Sequence, residues 1–150
     1  MNPVETYLIK LAEIRASGHA TDETSYYPAL ELLLADIGKR LKPRMLPVLQ
    51  LKNRGAGQPD GGLFTHDQIK KKATPEDFTI QPPNRGAIEV KEPAEELDQT
   101  IQSEQVKKYL RAYGQVLLTN YREFRVVIPG DDGKPRVLET FTLAKTEPAF

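Results

Sequence analysis

Three residues of this 150-residue chain have the types and spacing to work on a phosphate ester: Asp60, Glu89 and Lys91. Glu89 and Lys91 are two apart, so on a strand their side chains share a face. Asp60 lies 29 residues before Glu89, directly after a glycine- and proline-rich turn. Two carboxylates at neighbouring strand tips can hold a hard divalent cation, with the main-chain carbonyl of Val90 completing the protein's share. Magnesium is bound in this way, through one or two carboxylates and several waters, and manganese shares its preference for oxygen. Such a centre suits phosphodiester hydrolysis, which needs an activated water, neutralised phosphate oxygens and a stabilised leaving group. Lys91 would stand beside the attacking water. Its ammonium could orient that water and stabilise charge, or act as a base if its pKa were lowered. The spacing leaves both roles open, and with them the plainer alternative of a surface ion pair with no chemistry.

These residues need strands to hold them. Residues 45–51, 60–64 and 86–91 read as strands, and Pro47 points to an edge or a bulge in the first. Between the first two, residues 52–59 have a turn composition whose glycines permit close backbone approach. Two amphipathic helices precede them, over residues 3–17 and about 25–40. Val4, Leu8, Leu11 and Ile14 form the first apolar stripe, with Tyr7 beside it, and Gly18 is its stop. Leu30, Leu33, Leu34, Ile37 and Leu41 form the second, with Pro28 in the first turn. Tyr26 and Tyr27 read as packing at the helix start. Glu31 falls at the border of the second stripe, either as a solvated glutamate or as a carboxylate aimed at the site.

A third helix is expected from Asp98 or Thr100 to Tyr113, with Ile101, Val106, Tyr109, Leu110 and Tyr113 inward and Gly114 as its stop. Gln105 and Tyr109 are four apart and share a side of it. Strands follow at 115–119, 123–128 and 136–143, the last two joined by the turn Gly130-Asp131-Asp132-Gly133. Residues 65–85 are the least readable: a helical turn at 68–72 carries Lys70, Lys71 and Lys72, which are a solvated face or contacts to phosphate. Glu92, Glu95, Glu96 and Asp98 form an acidic cluster expected to face away from bound phosphate or to contact another domain. The order of elements predicts an α/β fold, a central mixed β-sheet flanked by helices. Strands 86–91 and 115–119 should be parallel, joined by a right-handed crossover.

Composition removes other chemistries. There is no cysteine, so disulfides, thiolate metal sites and cysteine nucleophiles are absent. Only His19 and His66 supply imidazole, too few for a histidine-rich metal centre, and both read as ordinary loop residues. Acidic and basic residues balance at 21 each, which neither favours nor excludes a nucleic acid partner. The charged N-terminus does not resemble a signal peptide and no apolar run approaches a membrane span, so a cytoplasmic location and no membrane contact are expected. The length fits a single domain.

The pair Pro59-Asp60 followed by Glu89-Val90-Lys91 resembles the PD-(D/E)XK nuclease superfamily, and Gln105 with Tyr109 matches the Gln-x-x-x-Tyr motif of its RecB-like branch. The strings 24–28, 55–60, 103–106 and 117–124 are similar to the N-terminal nuclease region of large bacterial restriction–modification polypeptides, which carry an adenine-specific DNA methyltransferase. The resemblance covers roughly residues 21–143. It implies a restriction-endonuclease-like fold and magnesium- or manganese-dependent cleavage of double-stranded DNA. It implies a metal site of Asp60, Glu89, Val90 and Glu31, with Lys91, Glu31 and Gln105 contributing to catalysis. It implies DNA contacts at Gln105, Tyr109, Lys52, Arg54, Lys107, Lys108 and Arg111. Residues 1–150 would then be a nuclease domain, a fragment of a longer protein whose C-terminal methyltransferase and target-recognition region chooses the DNA. Dimerisation on DNA is also implied, because one active site cuts one strand. A standalone defence or repair nuclease, an RNA nuclease and a non-catalytic DNA-binding or assembly module of the same fold are the competing readings.

Overall fold

The structure, a computed structural model, describes residues 2–20, 24–51, 58–70 and 82–145, with the side chain of Lys70 excepted. Six strands lie side by side in chain order: β1 (Met45–Leu49), β2 (Gly61–Thr65), β3 (Ala87–Val90), β4 (Val116–Thr119), β5 (Glu123–Pro129) and β6 (Pro135–Thr142). β3 and β4 run parallel and every other neighbouring pair is antiparallel. This is the expected mixed sheet, and β1 with its Pro47 is at an edge, where a missing N–H costs no ladder bond.

Helices cover both faces. α1 (Pro3–Ala16) starts with a capping box: Glu5 N–H donates to Asn2 Oδ1 at 2.9 Å and the Asn2 N–H donates back to the Glu5 carboxylate at 3.4 Å. α2 (Tyr27–Gly38) follows a 3₁₀ turn at Thr24–Tyr26, and Pro28 is in its first turn. A short α3 (His66–Lys70) follows β2. The connection from β3 to β4 holds α4 (Leu97–Ile101) and α5 (Glu104–Tyr113), where one continuous helix was expected. Ser103 makes the break. It leaves the helical conformation (φ −69°, ψ 154°) so that its hydroxyl can accept from the Val106 N–H at 3.2 Å and start α5 afresh. Gly114 ends α5 in the left-handed conformation, as expected.

The alternation of β3 divides the core. Ile88 and Val90 pack with Tyr7, Leu11, Leu30 and Leu33 beneath α1 and α2. Ala87 packs with Val106, Tyr109, Leu110, Leu118 and Val127 beneath α4 and α5, and Glu89 shares that face. Tyr26 and Tyr27 are buried, as helix-start packing requires. The stripe assigned to α1 needs correcting: Tyr7, not Leu8, is the fully buried residue, because its hydroxyl finds the carbonyl of Tyr121 at 2.8 Å. Ile37 and Leu41, at the end of the second stripe, are exposed.

Two glycines fix how β3 sits. Gly86 has φ +109°, and a Cβ there would lie 2.6 Å from the carbonyl oxygen of Gln115. At Gly61 a Cβ would lie 2.7 Å from the carbonyl oxygen of Val48, so only glycine lets β2 lie between its neighbours directly after Asp60.

Candidate active site

β2 begins at Gly61, so Asp60 is the residue at its tip, and Gly61 pairs with Ile88 on β3. The tip of β2 therefore lies against the outgoing end of β3. The N–H of Val90 donates to Asp60 Oδ2 at 2.7 Å. That bond pins the Asp60 carboxylate beside Glu89, which is 2% exposed and points into the α5 side of the sheet. Burial pushes the Glu89 carboxyl up to about 9, and the hydrogen bond and charge of Asp60 push the same way, against the Lys91 ammonium. The two carboxyl groups thus lie against each other, and the buried Glu89 is held in its protonated form. Lys91 Nζ stands 3.6 Å from Glu89 Oε2 on the same face, with about a quarter of its side chain exposed. Its own N–H donates to the Thr119 carbonyl at 2.8 Å, extending the parallel ladder by one residue.

Tyr109 approaches the pair from α5. It is fully buried, and its hydroxyl is pushed up to about 12 by burial and by the nearby charge of Glu89. Gln105, one turn earlier and exposed, donates from Nε2 to the Tyr109 hydroxyl at 3.0 Å. Asp60, Glu89, Lys91, Gln105 and Tyr109 are thereby gathered at one end of the sheet. On the α2 side of Asp60 is a cavity of about 260 Å³ lined by Thr24, Tyr27, Gln50, Gln58, Pro59 and Asp60.

The other expected residues lie as follows. Glu31 is exposed on α2, one turn beyond Tyr27, and among the described residues no group of three or more His, Cys, Asp or Glu side chains is assembled for a metal. The oxygens that could hold a hard cation are those of Asp60, Glu89 and the Val90 main chain. Lys108 and Arg111 are exposed on α5, and Lys108 shares a flank with Gln105 three residues before it. Lys107 turns to the opposite flank and pairs with Glu104 at 3.4 Å. Lys52, Arg54, Lys71 and Lys72 lie outside the described residues, as does the side chain of Lys70.

Sequence reasoning missed Arg122 and Asn120. Arg122 is fully buried, and its guanidinium donates to the carbonyls of Pro93 and Lys145, each at 2.6 Å, and to the carboxylate of Glu96 at 3.1 Å. Asn120 is also fully buried. It donates from Nδ2 to the Glu95 carbonyl at 2.7 Å and accepts from the N–H groups of Arg122 and Glu123. The acidic cluster is answered within the fold: Glu96 pairs with Arg122, Asp98 pairs with Arg125 at 2.7 Å, and Glu95 accepts from the Thr100 hydroxyl. Both residues fall in string 117–124, which sequence reasoning used as a likeness and otherwise as a turn. The local signal was a polar Asn and Arg flanking a tyrosine between two apolar strands.

No protein-family model matches the chain, and no curated protein does. Among solved structures it is similar to a chain in the cryo-EM structure of a DrdV–DNA complex, with 22% sequence identity and a TM-score of 0.61 over 98% of the present chain. The present chain spans 12% of that chain's length. The likeness is one of fold: an α/β domain with a mixed sheet flanked by helices. Among the described residues no helix is long and apolar enough to cross a membrane.

Proposed function

We propose that this chain is a metal-dependent DNA endonuclease domain of the PD-(D/E)XK type. The observation that carries the reading is the pairing of Asp60 with Glu89, with the Lys91 ammonium 3.6 Å from Glu89. A buried Glu89 carboxyl held protonated beside the half-buried Asp60 carboxylate forms a site where a cation can take the proton's place. The donor set is all oxygen, as magnesium or manganese requires. Asp60, Glu89 and the Val90 carbonyl would hold the ion, and Glu31 would reach it through water. When bound, the ion would supply a Lewis acid for a phosphate oxygen and a water of lowered pKa.

The chain's own groups account for the rest. Val90 N–H fixes the Asp60 carboxylate. Lys91 donates to the attacking water or to the charge developing on phosphate. Tyr109 closes the site from behind and holds the Gln105 side chain at its rim, where Gln105 can hydrogen-bond a backbone phosphate. Lys108 and Arg111 extend that rim with positive charge, and Lys107, Lys52 and Arg54 are further contacts in this reading. Likeness to a chain seen in a complex with DNA supports DNA as the partner. In this reading the chain is a module within a larger restriction–modification polypeptide, with a methyltransferase and target-recognition region beyond it, and paired modules cut the two strands.

The second reading is a non-catalytic DNA-binding or assembly module, favoured by the absence among described residues of a third acidic ligand beside Asp60 and Glu89. Cleavage of supercoiled and linear DNA with magnesium or manganese separates the two, compared with Glu89→Ala and Lys91→Ala. Nicking by the wild type that each variant lowers by at least about a hundredfold is the expected result. Equal inertness of all three, also within the full-length protein, would leave only the binding module.

A further inference from the structure

We infer that Arg122 and Asn120 are positioning residues for Lys91, acting through the loop that leaves β3. The inference rests on the nuclease reading for its catalytic consequence and on geometry alone for the positioning. Lys91 is the last residue held by the β3–β4 ladder, through Thr119. Beyond it, residues 92–96 close a turn of their own, from the Glu95 N–H to the Glu92 carbonyl at 3.0 Å. The loop would otherwise carry its carbonyls in water, and a lysine at the end of a short strand would follow its movements.

Instead, side chains from the far end of β4 grip it. Arg122 Nε takes the Pro93 carbonyl, two residues after Lys91, and another guanidinium nitrogen takes the Glu96 carboxylate. Asn120 Nδ2 takes the Glu95 carbonyl. A guanidinium that is fully buried costs several kcal/mol to desolvate and is kept only where its donors are satisfied in a fixed fork. Here the fork spans two segments distant in sequence, because its remaining donors hold the carbonyls of Ala144 and Lys145. The backbone on the far side is secured independently: the Leu143 and Ala144 N–H groups donate to the Arg122 carbonyl. The same clamp that sets Lys91 thus also holds residues 144–145, and their displacement would be transmitted to the loop after Lys91.

Asn120→Asp is the sharpest test, because it keeps the oxygen that accepts from the Arg122 and Glu123 N–H groups and sets a carboxylate oxygen against the Glu95 carbonyl in place of its donor, leaving that carbonyl only the longer 3.5 Å contact from Arg122 Nη2. Arg122→Lys is the second variant, since a lysine cannot bridge Pro93 and Lys145 at once. Asn2→Ala is the control, losing the exposed capping box at the start of α1, which touches none of these residues. Amide hydrogen exchange is measured on metal-free protein, and kcat and KM for DNA nicking are measured on the same samples well below their melting temperatures.

The expected result is exchange at Lys91 and Glu95 roughly tenfold faster or more in Asn120→Asp, with α1 amides unchanged. The kcat should fall up to about a hundredfold with KM little altered, while Asn2→Ala lowers the melting temperature and leaves kcat alone. Unchanged exchange at Lys91 and Glu95 overturns the inference. Faster exchange with an unaltered kcat in an active enzyme reduces both residues to structural ones and also overturns it. A wild type inert on every DNA sinks the nuclease reading instead, and exchange then decides the positioning alone.

Discussion

The N–H of Val90 and the carboxylate of Asp60 are joined by a 2.7 Å hydrogen bond, which ties the tip of β2 to the end of β3. One backbone donor thereby brings a second carboxylate against Glu89, and burial together with that neighbour holds Glu89 protonated.

That proton makes stability depend on pH. Glu89 is raised from its ordinary 4.5 to about 9, by burial first and by Asp60 second. The folded protein therefore holds this proton more tightly than the unfolded chain. The linked stability is complete below about pH 4.5 and is lost as pH climbs through that value towards about 9. In thermal melts of metal-free protein across this window, the wild type should lose melting temperature with rising pH, and Glu89→Gln should lose much less. Parallel curves for the two proteins would contradict the assignment of the proton to Glu89.

Gly86→Ala tests the entry to β3. Its φ of +109° strains any side chain, and the new Cβ would also lie 2.6 Å from the Gln115 carbonyl oxygen. Gly133 has a similarly left-handed φ of +77° with nothing near its Cβ position. Gly133→Ala should cost about 1–2 kcal/mol from conformation alone. Gly86→Ala should cost clearly more, because backbone must also move. Urea denaturation gives both values, and equal costs would show that the Gln115 contact is slack.

The two flanks of α5 should differ towards DNA. Lys108 shares a flank with Gln105, whereas Lys107 is turned away and paired with Glu104. In a Glu89→Gln background that cannot cut, Lys108→Ala should lower the slope of log affinity against log salt by about one. Lys107→Ala should lower it clearly less, because Glu104 already answers that charge. Binding titrations over a salt series read the difference, and the reverse order would place the DNA on the other flank.

The sheet was legible because turn residues punctuate it: Gly86, Gly114 and the Gly130–Gly133 turn each bound a strand or helix where expected. The break between α4 and α5 was not, since Gln102 and Ser103 include neither glycine nor proline and the stop comes from one hydroxyl accepting a bond. Tyr7 outranked Leu8 because a partner 114 residues away accepts its hydroxyl, a contact outside any window of periodicity. Asp60, Glu89 and Lys91 could be paired in advance because strand alternation fixes faces. Arg122 could not: its acceptors lie 22 to 29 residues away on both sides, and a lone arginine before a strand looks like any surface charge. β6, read as partly one-sided, is exposed along almost its whole length and shows Val137, Leu138 and Phe141 to solvent.

The division of β3 between two cores makes its reading frame unforgiving. One residue inserted between Gly86 and Glu89 would turn the carboxylate and the ammonium towards Leu30 and Tyr7, and present Ile88 or Val90 where Tyr109 now meets Glu89. Both faces would lose their fit at once. Point substitutions can drift through this strand, but changes of length cannot, and a lineage carrying such a change would have to rebuild the chemistry from another strand.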